Sequence, residues 1–345
     1  MEKRIVTAHN YPLFEIDVHG FMRRVSLKNI LFNIKSLFTI LIATRDSKKI
    51  IKEFKPDIVI GCGGYVSGPI VRAAAKMGIK TVIQEQNSFP GVTTKLLEKY
   101  VDLVFCPDED STTHLKHKEK LVVTGNPVKS EDFTSDRNKL REQCSVEDRV
   151  FVLSYGGSNG SMGLNRVVAA FMAKHWKTDK VFHVHATGQY AKESFTELMT
   201  EYDIDYLNSK NIKVYEFIDN IPSYYAACDL VISRAGALTI TELKAAGKAS
   251  VLIPSPNVTE NHQLYNANSL KEINAAYVFE EDSISLEELS DRIMELIDNR
   301  DVINEMGRNA KNHSKENASE EIYKHILQLL CGELRWKEKL TVTKG

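Results

Sequence analysis

The chain has 345 residues, 43% hydrophobic and 26% charged, a length that exceeds one ordinary core and suits two domains. Its 45 basic and 46 acidic side chains leave a formal net charge of −1, which excludes a general nucleic-acid binder. Five scattered cysteines without a C-x-x-C pair exclude a disulfide framework or a cysteine zinc site, and nothing approaches the roughly 18 uncharged apolar residues of a membrane span.

The opening residues 1–7 (MEKRIVT) lack both the apolar core of a signal peptide and the glycine turn that normally follows the first strand of a doubly wound domain. A cytoplasmic protein is expected. Residues 21–54 carry eight basic side chains, among them Arg23, Arg24, Lys28 and Lys35, against Asp46 and Glu53. Phe32, Phe38 and several Leu and Ile residues are interleaved, partly at helical spacing. Two readings stay open on these residues alone: a core helix with a solvated basic edge, or a surface that lies on an anionic bilayer.

Short apolar runs then alternate with amphipathic stretches. The runs at 57–61, 81–84, 102–106 and 121–124 precede a polar segment at 127–147 that suits a domain boundary. Those at 150–155, 181–186, 212–216, 230–233 and 250–253 follow it, and residues 319–330 read as a last amphipathic helix. Apolar strands bounded by glycine turns, with helices between, indicate parallel sheets covered on both faces. The expected class is α/β, two doubly wound Rossmann-like domains at 1–130 and 131–315, with residues 316–345 as a C-terminal helix and tail packing back toward the first domain.

Three glycine turns follow strands: residues 61–69 before a helix-like stretch at 70–76, residues 156–161 before a helix near Leu164, and residues 233–239 before a helix carrying Glu242. Such turns let backbone approach a ligand, and a helix N-terminus offers N–H groups to phosphate. A tight turn alone also needs glycine, but three in one chain favour a ligand site. Arg234 could neutralise a diphosphate and Glu242 could accept both hydroxyls of a ribose; the alternative is an ordinary ion pair between the two. Residues 260–267 gather amide and imidazole groups suited to sugar hydroxyls or to a helix cap. The D-x-D strings at 108–110 and 203–205 read as solvated loop acids, so no metal is expected.

Seven motifs occur in order: GGYVSGP (63–69), EQN within 84–87 followed by PGVTTK (90–95), GNPV (125–128), GGSNGS (156–161) with Asn165, EFID (216–219), SRAGALTITE (233–242) and HQLYNA (262–267). Over nearly its whole length the chain resembles the MurG-type N-acetylglucosaminyltransferases of peptidoglycan synthesis. The resemblance implies a GT-B fold and inverting transfer of N-acetylglucosamine from UDP-N-acetylglucosamine to undecaprenyl-linked lipid I, without a cofactor. On the donor side it implies Ser158 at the diphosphate, Ile218 at the uracil, and Ala237, Leu238, Thr239, Ile240, Thr241 and Glu242 around ribose and phosphates. Gln263, with His262 and Asn266, would hold the sugar, and Asn87 would reach in from the first domain. Gly63, Gly64, Tyr65, Ser67 and Glu85 belong to the acceptor side.

By the same resemblance, Arg23, Arg24, Lys28, Phe32, Lys35 and Phe38 become a membrane-docking surface on the cytoplasmic face of the bacterial cell membrane. Departures accompany these matches. Gln84 stands where the family usually has His, Asn159 where many have Gln, and Lys129 where it has Arg, losing the planar fork. The family's first strand and its G-G-T-G-G-H loop, with the expected catalytic histidine, have no counterpart, so the first domain is expected to be truncated. His9 and His19 sit in no glycine turn, and no catalytic base is assigned. Two competing expectations are a transferase that makes diacylglycerol glycolipids and a UDP-sugar-binding remnant without transfer.

Overall fold

The computed structural model describes residues 3, 6, 7, 9–18, 27–128, 133, 136–157, 159–281 and 283–342, with the side chains of 27–38, 259 and 333–342 excepted. The chain forms two compact units: residues 1–86, 90–124 and 320–345 make the first, and residues 87–89 with 125–319 make the second.

In the first unit, β1 (Ile58–Gly61), β2 (Lys80–Gln84), β3 (Leu103–Cys106) and β4 (Leu121–Val123) form a parallel sheet in that order. Val71, Ile83, Leu97, Val104 and Leu115 pack its core. Helix Leu27–Phe54 turns Ala43, Ser47 and Ile51 inward, and Ile51 meets Ala73 and Ala74 of helix Gly64–Lys76. Leu41, Arg45, Lys48 and Lys52, at spacings of four, three and four, are exposed on the opposite face. The described half of this helix therefore has a core face and a basic face studded with aliphatics. Arg23 and Arg24 lie outside the described residues, as do the side chains of Lys28, Phe32, Lys35 and Phe38.

Helix Gly64–Lys76 corrects one expectation. It starts at Gly64 rather than near residue 70, so Tyr65, Ser67 and Pro69 occupy its first turns instead of a loop. Pro69, the sixth residue of the helix, lies past those first N–H groups that lack an intrahelical partner, and so removes the i→i−4 bond to the Tyr65 carbonyl. The final helix, Ala318–Val342, runs past residue 330 with a break at Gly332, whose φ of 70° suits glycine. Its His325 ring lies 6.2 Å from Phe105.

The second unit has six parallel strands in the order β10-β9-β8-β5-β6-β7. These are β5 (Val150–Tyr155), β6 (Val181–Ala186), β7 (Ile212–Tyr215), β8 (Leu230–Ser233), β9 (Ala249–Leu252) and β10 (Ala276–Val278). All of β5 and β6 is buried, as expected of strands covered on both faces. β10 is absent from the sequence reading: residues 275–279 are an apolar run, but only three of them form the strand, and Tyr277 is exposed at the sheet edge.

Beneath the sheet, Ser154 Oγ lies 2.7 Å from His183 Nε2 and 2.8 Å from His185 Nδ1, and His183 Nδ1 is 3.0 Å from His175 Nε2. Burial holds these imidazoles neutral, pushing His175 and His185 down to about 3. They belong to the core.

Candidate functional site

From β5 the sheet continues to β6 and β7 on one side and to β8, β9 and β10 on the other. The chain thus switches direction between β5 and β8, and the carboxyl ends of two such strands border a ready-made crevice. Residues 156, 157 and 159–161 of the second glycine turn and residues 234–236 of the third lie there.

The first of these turns is built by close backbone contact. A Cβ on Gly160 would fall 2.3 Å from Thr187 O, and one on Gly188 would fall 2.1 Å from Gly160 Cα. Both residues also have positive φ, 76° and 94°, so only glycine lets the two loops cross. Asn165 fastens the same crossing by donating Nδ2 to Thr187 O at 3.2 Å. Ser161 caps helix Met162–His175, its Oγ accepting from Leu164 N.

Arg234 is nearly buried. Its Nε and Nη2 donate to Ser161 Oγ at 2.8 and 2.6 Å, Nη1 donates to the carbonyls of Ile253 and Pro254 at 2.9 and 3.2 Å, and Nη2 also reaches Glu281 Oε2 at 2.5 Å. These bonds engage every nitrogen of the guanidinium fork. The sequence suggested either a phosphate ligand or a pair with Glu242; Arg234 instead ties the β5 turn to the ends of β9 and β10 and pairs with Glu281.

Helix Ala237–Ala246 follows Gly236, which has no side chain to cap the first N–H groups, directly after the carboxyl end of β8. One turn further, Glu242 accepts from the Tyr225 hydroxyl at 3.3 Å, and that hydroxyl is bonded to the Tyr155 hydroxyl. Burial raises the Glu242 carboxyl to about 7, an effect the Tyr225 bond only partly offsets. Tyr155 and Tyr225 belong to no motif. The one available signal was that Tyr155 closes a largely apolar strand at its carboxyl end.

The remaining donor-side residues divide by burial. Leu238 is exposed and Ala237, Thr239 and Thr241 are half-buried, whereas Ile240 and Ile218 are buried in the core and can offer only backbone to a ligand. Thr241 Oγ1 accepts from Asn126 Nδ2 at 3.1 Å, which joins GNPV to this helix. Asn266 is buried; it donates to Ala235 O at 3.1 Å and Asn87 Oδ1 at 3.2 Å and accepts from Ser88 N at 3.0 Å. Phe89 stacks on Tyr265 at 4.6 Å. Asn266 and Asn87 therefore support each other in the second unit, and Asn266 braces the turn from beneath. Gln263 Oε1 accepts from Ser255 N at 2.9 Å, and His262 is half-buried beside it at the start of helix His262–Lys271. Ser158 and Lys129 lie outside the described residues.

In the first unit, Glu85 is buried and accepts from Gln86 N at 2.9 Å, Gly91 N at 3.0 Å and Thr94 Oγ1 at 2.5 Å. Its carboxylate shapes the 85–91 loop and ties it to helix Val92–Leu97. Gln86 Nε2 donates to Cys62 O at 3.0 Å, tethering that loop to the Gly63–Gly64 turn, from which Tyr65 projects into solvent.

Among the described residues no His, Cys, Asp or Glu group could hold a metal ion, and no helix is long and apolar enough to cross a membrane. The model of the glycosyltransferase family 28 C-terminal domain matches residues 150–322, and that of the N-terminal domain matches residues 1–106. A protein of Thermoanaerobacter sp. (strain X514) named UDP-N-acetylglucosamine--N-acetylmuramyl-(pentapeptide) pyrophosphoryl-undecaprenol N-acetylglucosamine transferase is 38% identical over 94% of this chain and 88% of its own length. The like-named protein of Bacillus subtilis (strain 168) is 39% identical over 95% of this chain and 88% of its own. Among solved structures, Acinetobacter baumannii MurG superposes with a TM-score of 0.71 at 30% identity, covering 95% of this chain and 88% of that one. An MnaA–UDP complex of S. aureus, 17% identical with a TM-score of 0.68 over 95% of this chain and 86% of that one, shares the fold. The chain belongs to glycosyltransferase family 28 and, within it, to the MurG group.

Proposed function

We infer that this protein is a hexosyltransferase that moves N-acetylglucosamine from UDP-N-acetylglucosamine to lipid I, forming lipid II. The observation that carries this reading is the extended match to enzymes named for that reaction, 38–39% identical over 94–95% of the chain. The geometry of the second unit supports it. Glu242 lies one turn inside an uncapped helix N-terminus at the sheet's switch point. Ribose hydroxyls would donate to its carboxylate, and the first N–H groups of helix Ala237–Ala246 would meet the diphosphate. Those groups stabilise the charge that grows on UDP as the leaving group. An acceptor hydroxyl oxygen forms the new bond at the anomeric carbon as the bond to the diphosphate oxygen breaks, inverting the centre; the hydroxyl's proton passes to solvent, and UDP takes the electron pair. His262, Gln263 and the 126–128 turn are assigned to the rim of the donor site, and the 63–67 turn with Tyr65 to the acceptor side.

The membrane assignment rests on the exposed face of helix Leu27–Phe54, where Leu41 and Ile42 accompany Arg45, Lys48, Lys49 and Lys52. Cationic side chains flanking apolar ones suit an anionic bilayer surface. The decisive assay offers labelled UDP-N-acetylglucosamine and lipid I to the purified chain and looks for lipid II. Donor binding without any transfer would sink the transferase reading and leave a nucleotide-sugar binder. Co-sedimentation with anionic but not neutral vesicles is expected, weakening when Lys48, Lys49 and Lys52 are changed to Glu.

A further inference from the structure

Glu281 stands outside every motif, three residues beyond β10, yet it completes the only ion pair of Arg234 among the described residues. The two side chains are 25% and 10% exposed. The carboxylate also has a fixed seat. A Cβ built on Gly163, in the first turn of helix Met162–His175, would fall 1.8 Å from Glu281 Oε1 and 2.5 Å from Oε2. A larger residue there would therefore push the carboxylate, the far end of a flexible side chain, off this position. The seat suits an anion, because the helix N-terminus carries partial positive charge. Held this way, Glu281 presents Oε2 to Arg234, and Arg234 grips Ser161, the cap of the same helix.

We propose that Glu281 is a positioning residue for the donor. Seated on Gly163, it fixes Arg234, and Arg234 holds the 156–161 and 234–236 turns in the mutual register that a nucleoside diphosphate requires. This rests on the UDP-sugar reading above. Loss of the carboxylate removes one of the two partners of Arg234 Nη2, so the guanidinium is held only by Ser161 and the two carbonyls and the turns drift apart. Such a change weakens binding of the diphosphate in the ground and transition states alike, which raises KM more than it lowers kcat.

The test uses three variants of the full chain: Glu281→Ala, Gly163→Ala, and the two combined. Glu281→Ala is expected to raise both the KM for UDP-N-acetylglucosamine and the calorimetric Kd for UDP about tenfold, with kcat within about threefold of the parent. Gly163→Ala, which retains every charged group but displaces the carboxylate with a methyl, is expected to shift KM and Kd in the same direction by a smaller factor. Once Glu281 is alanine the three atoms nearest that methyl are gone, so the double variant should be no worse than Glu281→Ala alone. An unchanged Kd in Glu281→Ala, or additive losses in the double variant, overturns the proposal. A parent chain that fails to bind UDP-N-acetylglucosamine defeats the underlying reading instead, and thermal melts of each variant separate lost register from lost folding.

Discussion

Arg234 and Glu242 flank the same short turn and its helix, and both are largely shielded from water, but their surroundings are opposite. Arg234 has Glu281, a serine hydroxyl and two carbonyls around its guanidinium, so its charge is matched and every nitrogen is engaged. Glu242 has a single donor at 3.3 Å, the Tyr225 hydroxyl, and burial raises it to about 7. A charge that the fold already satisfies is a strut, whereas a buried charge short of donors is prepared for a ligand that brings them. The contrast separates an arginine that serves the architecture from a carboxylate that, on the proposed function, serves ribose, although both stand in one motif.

The largest expected effect tests the carboxylate side. Glu242→Ala removes the acceptor for two ribose hydroxyls and should weaken UDP binding about 100-fold at pH 8, the equivalent of about 3 kcal/mol. The same group acts on stability in the other direction. Its carboxyl is raised from 4.5 to about 7 in the folded state, so its favourable contribution is complete below the unfolded value and is lost as pH rises through about 7. At pH 8 the ionised form then costs the ligand-free fold about 3 kcal/mol, at about 1.4 kcal/mol per unit. Urea melts should find Glu242→Gln more stable than the parent at pH 8, with the gap falling below about 1 kcal/mol at pH 5. UDP affinity in the parent should rise between pH 6 and 8 and stay flat in Glu242→Gln. A parent whose affinity ignores pH would mean that Glu242 is already ionised or untouched by the donor.

Much of this contrast could be read from sequence, but only one half of each pair. The strands were visible as apolar runs because both faces of each sheet are covered, and Glu242 was visible because a glycine turn and helix N-terminus precede it. The partners were not. Glu281 lies 47 residues from Arg234, and Tyr225 meets Glu242 only because their helices pack beside β5 and β8. Periodicity reports which face of an element is buried, not which distant side chain meets it. The start of helix Gly64–Lys76 was missed for a different reason: its glycines and Pro69 read locally as a loop, and the helix forms because its later turns bury Val71, Ala73 and Ala74. Tertiary packing outweighed local propensity there.

On the arginine side, Arg234→Ala should destabilise the second unit by about 3 kcal/mol, since it strips Glu281 of its partner and leaves two carbonyls and a hydroxyl short of donors. Arg234→Lys keeps the charge but not the fork, which must point toward Ser161, toward the carbonyls of Ile253 and Pro254, and toward Glu281 at once. It should retain less than half of that stabilisation in thermal or urea melts. Full stability in the lysine variant would show that charge alone, rather than the directed set of bonds, holds the turns, and the distinction between strut and ligand would lose its basis.

Ser161→Ala is the mildest expected change and separates the two sides most finely. The hydroxyl does two things at once: it caps helix Met162–His175 through Leu164 N, and it receives Nε and Nη2 of Arg234. Loss of a serine cap typically costs about 1 kcal/mol. Arg234 retains Glu281 and both carbonyls, so the turn should loosen without coming apart. If the arginine is a strut, stability should fall by about that amount, UDP affinity should fall only a few-fold, and the affinity lost should have no pH dependence, because Glu242 is untouched. Calorimetric titrations of UDP at pH 6 and pH 8 read this directly. A loss that grows with pH would couple Ser161 to the carboxylate and merge two regions that the hydrogen bonds keep apart.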